Sequence, residues 1–143
     1  MQKQLIKWYQ ENKRDFPWRK DQDPYHIWIS EIMLQQTTTE TVIPYYNRFL
    51  KNFPNVEALA SASLEEVYKM WEGLGYYRRA KHIHESAQII LEKYQGVFPY
   101  EYDAILSLKG IGEYTAGAIS SIAYGKQVPA VDGNVLRIMS RYY

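Results

Sequence analysis

The 143-residue chain contains no cysteine. Disulfides, zinc–thiolate centres and cysteine-ligated iron–sulfur clusters are therefore excluded within it. No apolar run approaches the ~20 residues of a membrane span. The first residues, MQKQLIKWYQENKRDF, carry charges without the apolar stretch of a secretion signal. No period-two pattern marks a strand, no segment repeats, and none is low in complexity. A strong excess of charge is missing too: the net charge is +1, so composition by itself does not announce a nucleic-acid surface. What remains is one intracellular domain, long enough for a real core.

Tyrosine is plentiful, at 14 residues. It can fill a core and still present a polar tip. Nearly every segment reads as helix. Leu5, Trp8 and Tyr9 share one face of a first short helix. Tyr25 to Gln36 is apolar on most sides and reads as a buried helix. Another runs from about Thr38 to Phe53, with Pro44 in its first turns or kinking it. Ser63 and Glu66 have capping-box spacing and start a helix that stops at Gly73-Leu74-Gly75. Arg78 to Tyr94 is amphipathic, Tyr102 to Leu108 and Tyr114 to Tyr124 form a pair, and Val135 to Tyr143 closes the chain. The class is all-α, a compact array of short helices spanning residues 1–143. The last helix carries Val135, Ile138, Met139 and Tyr142 on a face that needs cover. The chain therefore reads as a fragment of a longer one.

The array is organised around LKGIGEYTAGA, residues 108–118. Gly110 and Gly112 flank Ile111 between two helices, a tight glycine hairpin. Glycine permits positive φ there and leaves no Cβ between the backbone and a ligand. Free N–H groups at the next helix start suit an anion such as phosphate. A plain turn between two helices uses the same residues.

Two carboxylates stand out. Glu31 lies inside WISEIMLQQ, where burying a charge is costly and desolvation raises a carboxyl pKa, the condition for a general acid. The alternative is a polar-side position beside Ser30 and Gln35. Asp132 precedes Gly133 and Asn134 at a helix start. It is either an N-cap or a carboxylate facing developing positive charge. Two such acids far apart in sequence are what glycosidic-bond cleavage uses. His82 and His84 are two apart and do not share a helix face, which argues against a metal pair. Tyr76 and Tyr77, followed by Arg78 and Arg79, are either helix packing with a solvated basic turn or a stacking residue beside phosphate-binding cations. Gln35, Gln36 and Thr37 are either capping residues or side chains that reach base edges.

Taken in order, FPWR (16–19), PYHIWISEIMLQQT (24–37), VIPYYNRF (42–49), WEGLGYYRRA (71–80), LKGIGEYTAGAI (108–119) and VDGNVLRIMSR (131–141) resemble the helix–hairpin–helix DNA glycosylases. Within that superfamily the chain is similar to adenine DNA glycosylases of the MutY type, over nearly its whole length. The resemblance implies a fold of the HhH-GPD type, truncated before the iron–sulfur cluster region. It implies a monofunctional glycosylase of base excision repair, hydrolysing the N-glycosidic bond of adenine opposite 8-oxoguanine or guanine.

By the same resemblance Glu31 protonates the leaving adenine at N7, and Asp132 stabilises the oxocarbenium-like sugar. Asn134 orients the site, and Tyr114 lines it. Gln36, Thr37 and Tyr76 enter or flank the base stack. Lys109, Gly110, Ile111, Gly112 and Thr115 hold the backbone of the strand with the flipped base, and Arg19 lies near that base. Bifunctional relatives such as endonuclease III carry lysine where this chain has Tyr114, and tyrosine cannot form a Schiff base.

An alkali-metal ion at the carbonyls of Leu106, Leu108 and Ile111 is implied as well. No cofactor belongs to this chain, and a [4Fe–4S] cluster is expected only in a longer form. The implied partner is double-stranded DNA with an A:8-oxoguanine or A:G mispair, the implied place the cytoplasm or nucleoid, with no membrane association. No oligomeric state is read from the sequence. Three alternatives stay open: a truncated chain that binds DNA without activity, a thymine or uracil mismatch glycosylase, and an all-helical scaffold whose hairpin is purely structural.

Overall fold

A computed structural model describes residues 1–143. Nine α-helices and one 3₁₀ turn follow one another without a strand. They are α1 (Gln2–Asn12), the turn Pro17–Arg19, α2 (Pro24–Leu34), α3 (Thr39–Asn52), α4 (Val56–Ser61), α5 (Leu64–Trp71), α6 (Arg78–Tyr94), α7 (Tyr102–Leu106), α8 (Glu113–Tyr124) and α9 (Gly133–Tyr142).

The middle of the molecule is α2. Asp23 caps it by accepting from the Tyr25 N–H at 2.9 Å, and Pro24 supplies the first-turn φ. Eight of its eleven residues are buried, from Tyr25 through Met33 with only His26 left out. A helix apolar on every side has to be wrapped. Here α3 and α8 pack directly on it, and α6 closes a third side. Trp28 packs at a tilt on Phe98, though its indole N–H is buried without a hydrogen-bond partner, and Tyr25 donates to the Phe53 carbonyl at 2.7 Å.

The expected capping box at the start of α5 is formed in both directions, Glu66 N–H to Ser63 Oγ and Ser63 N–H to Glu66 Oε2. Its buried face, Val67 and Trp71, rests against α3 and α6. Pro44 lies inside α3, which runs on past it to Asn52. The first arm of the hairpin is shorter than the periodicity suggested, ending at Leu106 rather than Leu108, because Ser107 and Leu108 already turn toward Gly110.

The two terminal helices bury none of their residues. Leu5, Ile6, Leu136 and Ile138 are each more than half exposed, so their apolar faces are unpartnered. The core is a single cluster of 27 buried residues formed by everything between them.

Candidate active site

Glu31 projects from the last turns of α2 and is only 4% exposed, so the polar-side reading fails. Its Oε1 meets Arg19 Nη2 at 3.3 Å. Arg19 ends the 3₁₀ turn, whose Trp18 is pinned in the core against Tyr46. The carboxylate opens onto a cleft of about 800 Å³. Arg19, Glu31, Gln36, Thr37, Tyr114, Asp132 and Asn134 all line it. Residues drawn from both ends of the sequence thus face one space.

Tyr114 enters the cleft from the first turn of α8. Burial pushes its hydroxyl up to about 12, with the Glu31 and Asp132 carboxylates adding to the shift and Arg19 opposing it. The phenol therefore stays a neutral hydrogen-bond donor around neutral pH, between two acidic groups.

Asp132 is the N-cap of α9. Its Oδ1 accepts from the Val135 N–H at 2.8 Å, and its Oδ2 accepts from Asn134 Nδ2 at 3.2 Å. Asn134 Oδ1 in turn accepts from Arg137 at 2.7 Å. Capping and facing the cleft are thus the same placement, not rival ones. The loop that delivers Asp132 is pressed against α8 at Gly117, where a Cβ would overlap the Pro129 carbonyl. Only glycine lets the two backbones come that close. Nothing in the sequence singles out Gly117 within residues 108–118.

The second group lies to one side of the cleft. Gln36 and Tyr76 are both exposed and both hold positive φ, +58° and +49°. For residues with a Cβ that conformation costs on the order of 1–3 kcal/mol and persists only where the surroundings enforce it. Thr37 is half-buried, and its hydroxyl accepts from Arg79 Nη2 at 3.3 Å. The basic turn needs correcting. Arg78 is exposed, but Arg79 is buried and bonded to backbone carbonyls, so it is neither solvated nor free for phosphate. His82 and His84 go separate ways: His84 bonds the Ala62 carbonyl at 2.8 Å, and His82 packs beneath Gly110.

The hairpin residues divide by depth. Lys109 is exposed, with its amine 3.1 Å from Glu85 and its carbonyl accepting from Ser86. Gly110 has φ +76°, and a Cβ there would press on the His82 ring at 2.9 Å. Gly112 caps α8 with no side-chain bond, and open space lies where its Cβ would be. Ile111 and Thr115 are buried, at 7% and 2% exposure, and Thr115 Oγ1 accepts from Gln35 Nε2 at 3.4 Å. Their side chains face the protein, so only their backbone can meet a ligand. The sequence reading also missed Trp8, Tyr9 and Lys13, which line the cleft from α1 and the residue after it. No periodicity signals that role.

The family model described as HhH-GPD superfamily base excision DNA repair protein matches residues 29–143. The chain belongs to that superfamily. It is 50% identical over 140 residues to the adenine DNA glycosylase of Buchnera aphidicola (subsp. Acyrthosiphon pisum), covering 97% of this chain and 40% of that protein. Against the human adenine DNA glycosylase it is 45% identical over 146 residues, covering 96% and 27%. The chain thus spans less than half the length of these curated relatives. Among solved structures, a thermostable thymine-DNA glycosylase superposes with a TM-score of 0.90 at 33% identity, covering 96% of this chain and 64% of that one. A non-covalent endonuclease III–DNA complex shares the fold, with a TM-score of 0.81 at 24% identity and coverage of 96% and 64%.

Proposed function

We propose that the chain is the catalytic portion of a monofunctional DNA glycosylase that hydrolyses the N-glycosidic bond of adenine mispaired with 8-oxoguanine or guanine. The observation that carries this reading is the shared cleft, in which Glu31, Tyr114 and Asp132 converge. The names of the relatives at 42–50% identity support adenine as the base.

A base inside a duplex is out of reach, so the target must leave the stack, at a cost of a few kcal/mol. Gln36 and Tyr76 are the exposed side chains that fill the gap. The hairpin backbone from Lys109 to Thr115 holds the phosphates of the flipped strand. In the cleft Glu31 gives a proton to adenine N7, and the bonding electron pair leaves with the base. The sugar becomes oxocarbenium-like, and the Asp132 carboxylate faces its positive charge. Asn134 holds that carboxylate in line, and Tyr114 contributes a neutral donor. Water then adds at C1′, its surplus proton passes to the Glu31 carboxylate that gave one up, and an abasic site is left. With tyrosine at position 114, no Schiff base forms there.

A [4Fe–4S] cluster does not fit this chain, which offers no cysteine. An alkali-metal ion would be held by the carbonyls of Leu106, Leu108 and Ile111. No group of three acidic or histidine residues could hold a metal elsewhere. Carbonyl oxygens suit a hard cation, and the Leu108 carbonyl, which accepts a long 3.3 Å bond from the Ile111 N–H, retains a lone pair for it.

The decisive experiment is a single-turnover assay on duplex DNA with adenine opposite 8-oxoguanine. Abasic-site formation that vanishes in Glu31→Gln is the expected result. DNA binding without base loss in the parent chain would refute the activity, and the absence of binding at low salt would refute the DNA reading as well. A second reading, thymine excision, is favoured by the likeness to the thymine-DNA glycosylase. Running a G:T duplex beside the A:8-oxoguanine duplex separates the two.

A further inference from the structure

Three residues other than glycine hold positive φ. Gln95 ends α6. The other two, Gln36 and Tyr76, stand on separate loops, and a single buried side chain lies between them. Arg79 Nη1 donates to the carbonyls of Ile32 and Met33, at 3.0 and 2.8 Å, and to that of Gln35. Its Nη2 donates to Thr37 Oγ1 at 3.3 Å and, on the other loop, to the Gly75 carbonyl at 3.1 Å. The guanidinium plane also lies over the Tyr76 ring, 5.6 Å from its centroid, and 5.3 Å from that of Trp71. Trp71 Nε1 donates to the same Gly75 carbonyl at 3.0 Å.

Arg79 has no carboxylate partner. Its charge is met by the carbonyl end of α2, where the helix dipole is negative. A planar fork with five donors can bond two loops at once. An ammonium with three donors on a flexible stem cannot reproduce that geometry.

We propose that Arg79 is a positioning residue that locks the Gln36 and Tyr76 loops into one rigid insertion element before DNA arrives. The insertion role itself rests on the glycosylase reading; the locking does not. Two residues in an unfavourable backbone conformation are held ready, so little ordering is left to be done on the duplex. Arg79 bonds neither Glu31 nor Asp132; it reaches the cleft wall only through the Gln35 carbonyl and the Thr37 hydroxyl, and it ties both loops to the end of α2.

Arg79→Lys keeps the charge and removes the fork. Native-state hydrogen exchange on the 143-residue chain is expected to rise about tenfold at the bonded amides of both loops together, Gln35 and Thr37 on one and Leu74 and position 79 on the other, ahead of the core amides of α8. Exchange that rises at one loop only, or at neither, overturns the proposal. If Arg79→Lys does not fold, Thr37→Val removes the Arg79 bond at one end, together with the hydroxyl's 3.4 Å donation to the Gln35 carbonyl within the same loop. Faster exchange at the far loop's bonded amides, Leu74 and Arg79, is then expected, and no change there overturns the proposal.

The functional arm uses Glu31→Gln chains and a duplex with 2-aminopurine at the target position. Arg79→Lys is expected to lower the flipping signal about tenfold while the dissociation constant changes less. Equal flipping by a folded Arg79→Lys chain overturns the insertion role. A parent chain that binds no DNA sinks the glycosylase reading and leaves hydrogen exchange to decide the lock.

Discussion

Arg19 Nη2 lies 3.3 Å from Glu31 Oε1, and the pair is lopsided: Glu31 is buried, while Arg19 keeps about a third of its side chain in solvent. Removing the cation leaves a nearly buried carboxylate without its ion-pair partner. Arg19→Ala should cost about 1–3 kcal/mol, read from urea unfolding. Glu31→Gln removes the need for the cation, so adding it to Arg19→Ala should return much of that loss. A double variant as unstable as the sum of the two singles would show that the pair is not coupled.

Tyr114→Lys places an amine between Glu31 and Asp132. Borohydride treatment during reaction with an abasic or mispaired duplex should then trap a covalent protein–DNA adduct, whereas the parent chain should give none. Lys13, the only lysine lining the cleft, serves as the internal control. An adduct formed by the parent and lost in Lys13→Ala would place an amine's chemistry there instead.

Gly117→Ala should separate chemistry from binding. The added methyl meets the Pro129 carbonyl, so the loop ahead of Asp132 has to move. A stability loss of about 1–3 kcal/mol is expected from overpacking. The single-turnover excision rate should fall at least tenfold through misplacement of Asp132. DNA affinity should change little, because the hairpin at Lys109 to Gly112 is untouched.

Alkali should unfold the chain earlier than its composition suggests. Burial raises Tyr114 and Tyr124 to about 12, and it raises Tyr25 and Tyr46 further. Above pH ~10 the unfolded chain releases these protons while the folded one keeps them, so the folded state holds more protons and stability falls as pH rises. Denaturation midpoints should decline from pH 10 upward. The tyrosinate absorbance of those four residues should rise only with unfolding. A flat midpoint to pH 11.5 would contradict this.

What the sequence made legible was local. Ser63 and Glu66 lie three apart, and the capping box follows from that spacing alone. Asp132 before Gly133 signals an N-cap, and it caps. Glu31 could not be oriented from its own segment, because α2 is apolar on all sides and offers no polar face to compare it with. Arg79 was misread for a different reason. Its partners are carbonyls of Ile32, Met33, Gln35 and Gly75, and a backbone carbonyl has the same signature at every position. Gly117 and Pro129 meet through a bend of the chain that only the fold defines.

The burial of α2 sets a condition on how the protein can fail. A reactive group on a surface loop can fray while the rest of its domain stays intact. Glu31 rides instead on the rod around which the other helices are wound, so its backbone amide should exchange only when the whole core opens. Fraying of α1 or α9, which bury no residues, will thus spare this carboxylate, and only melting of the core will displace it. The position of Glu31 is as durable as the core itself.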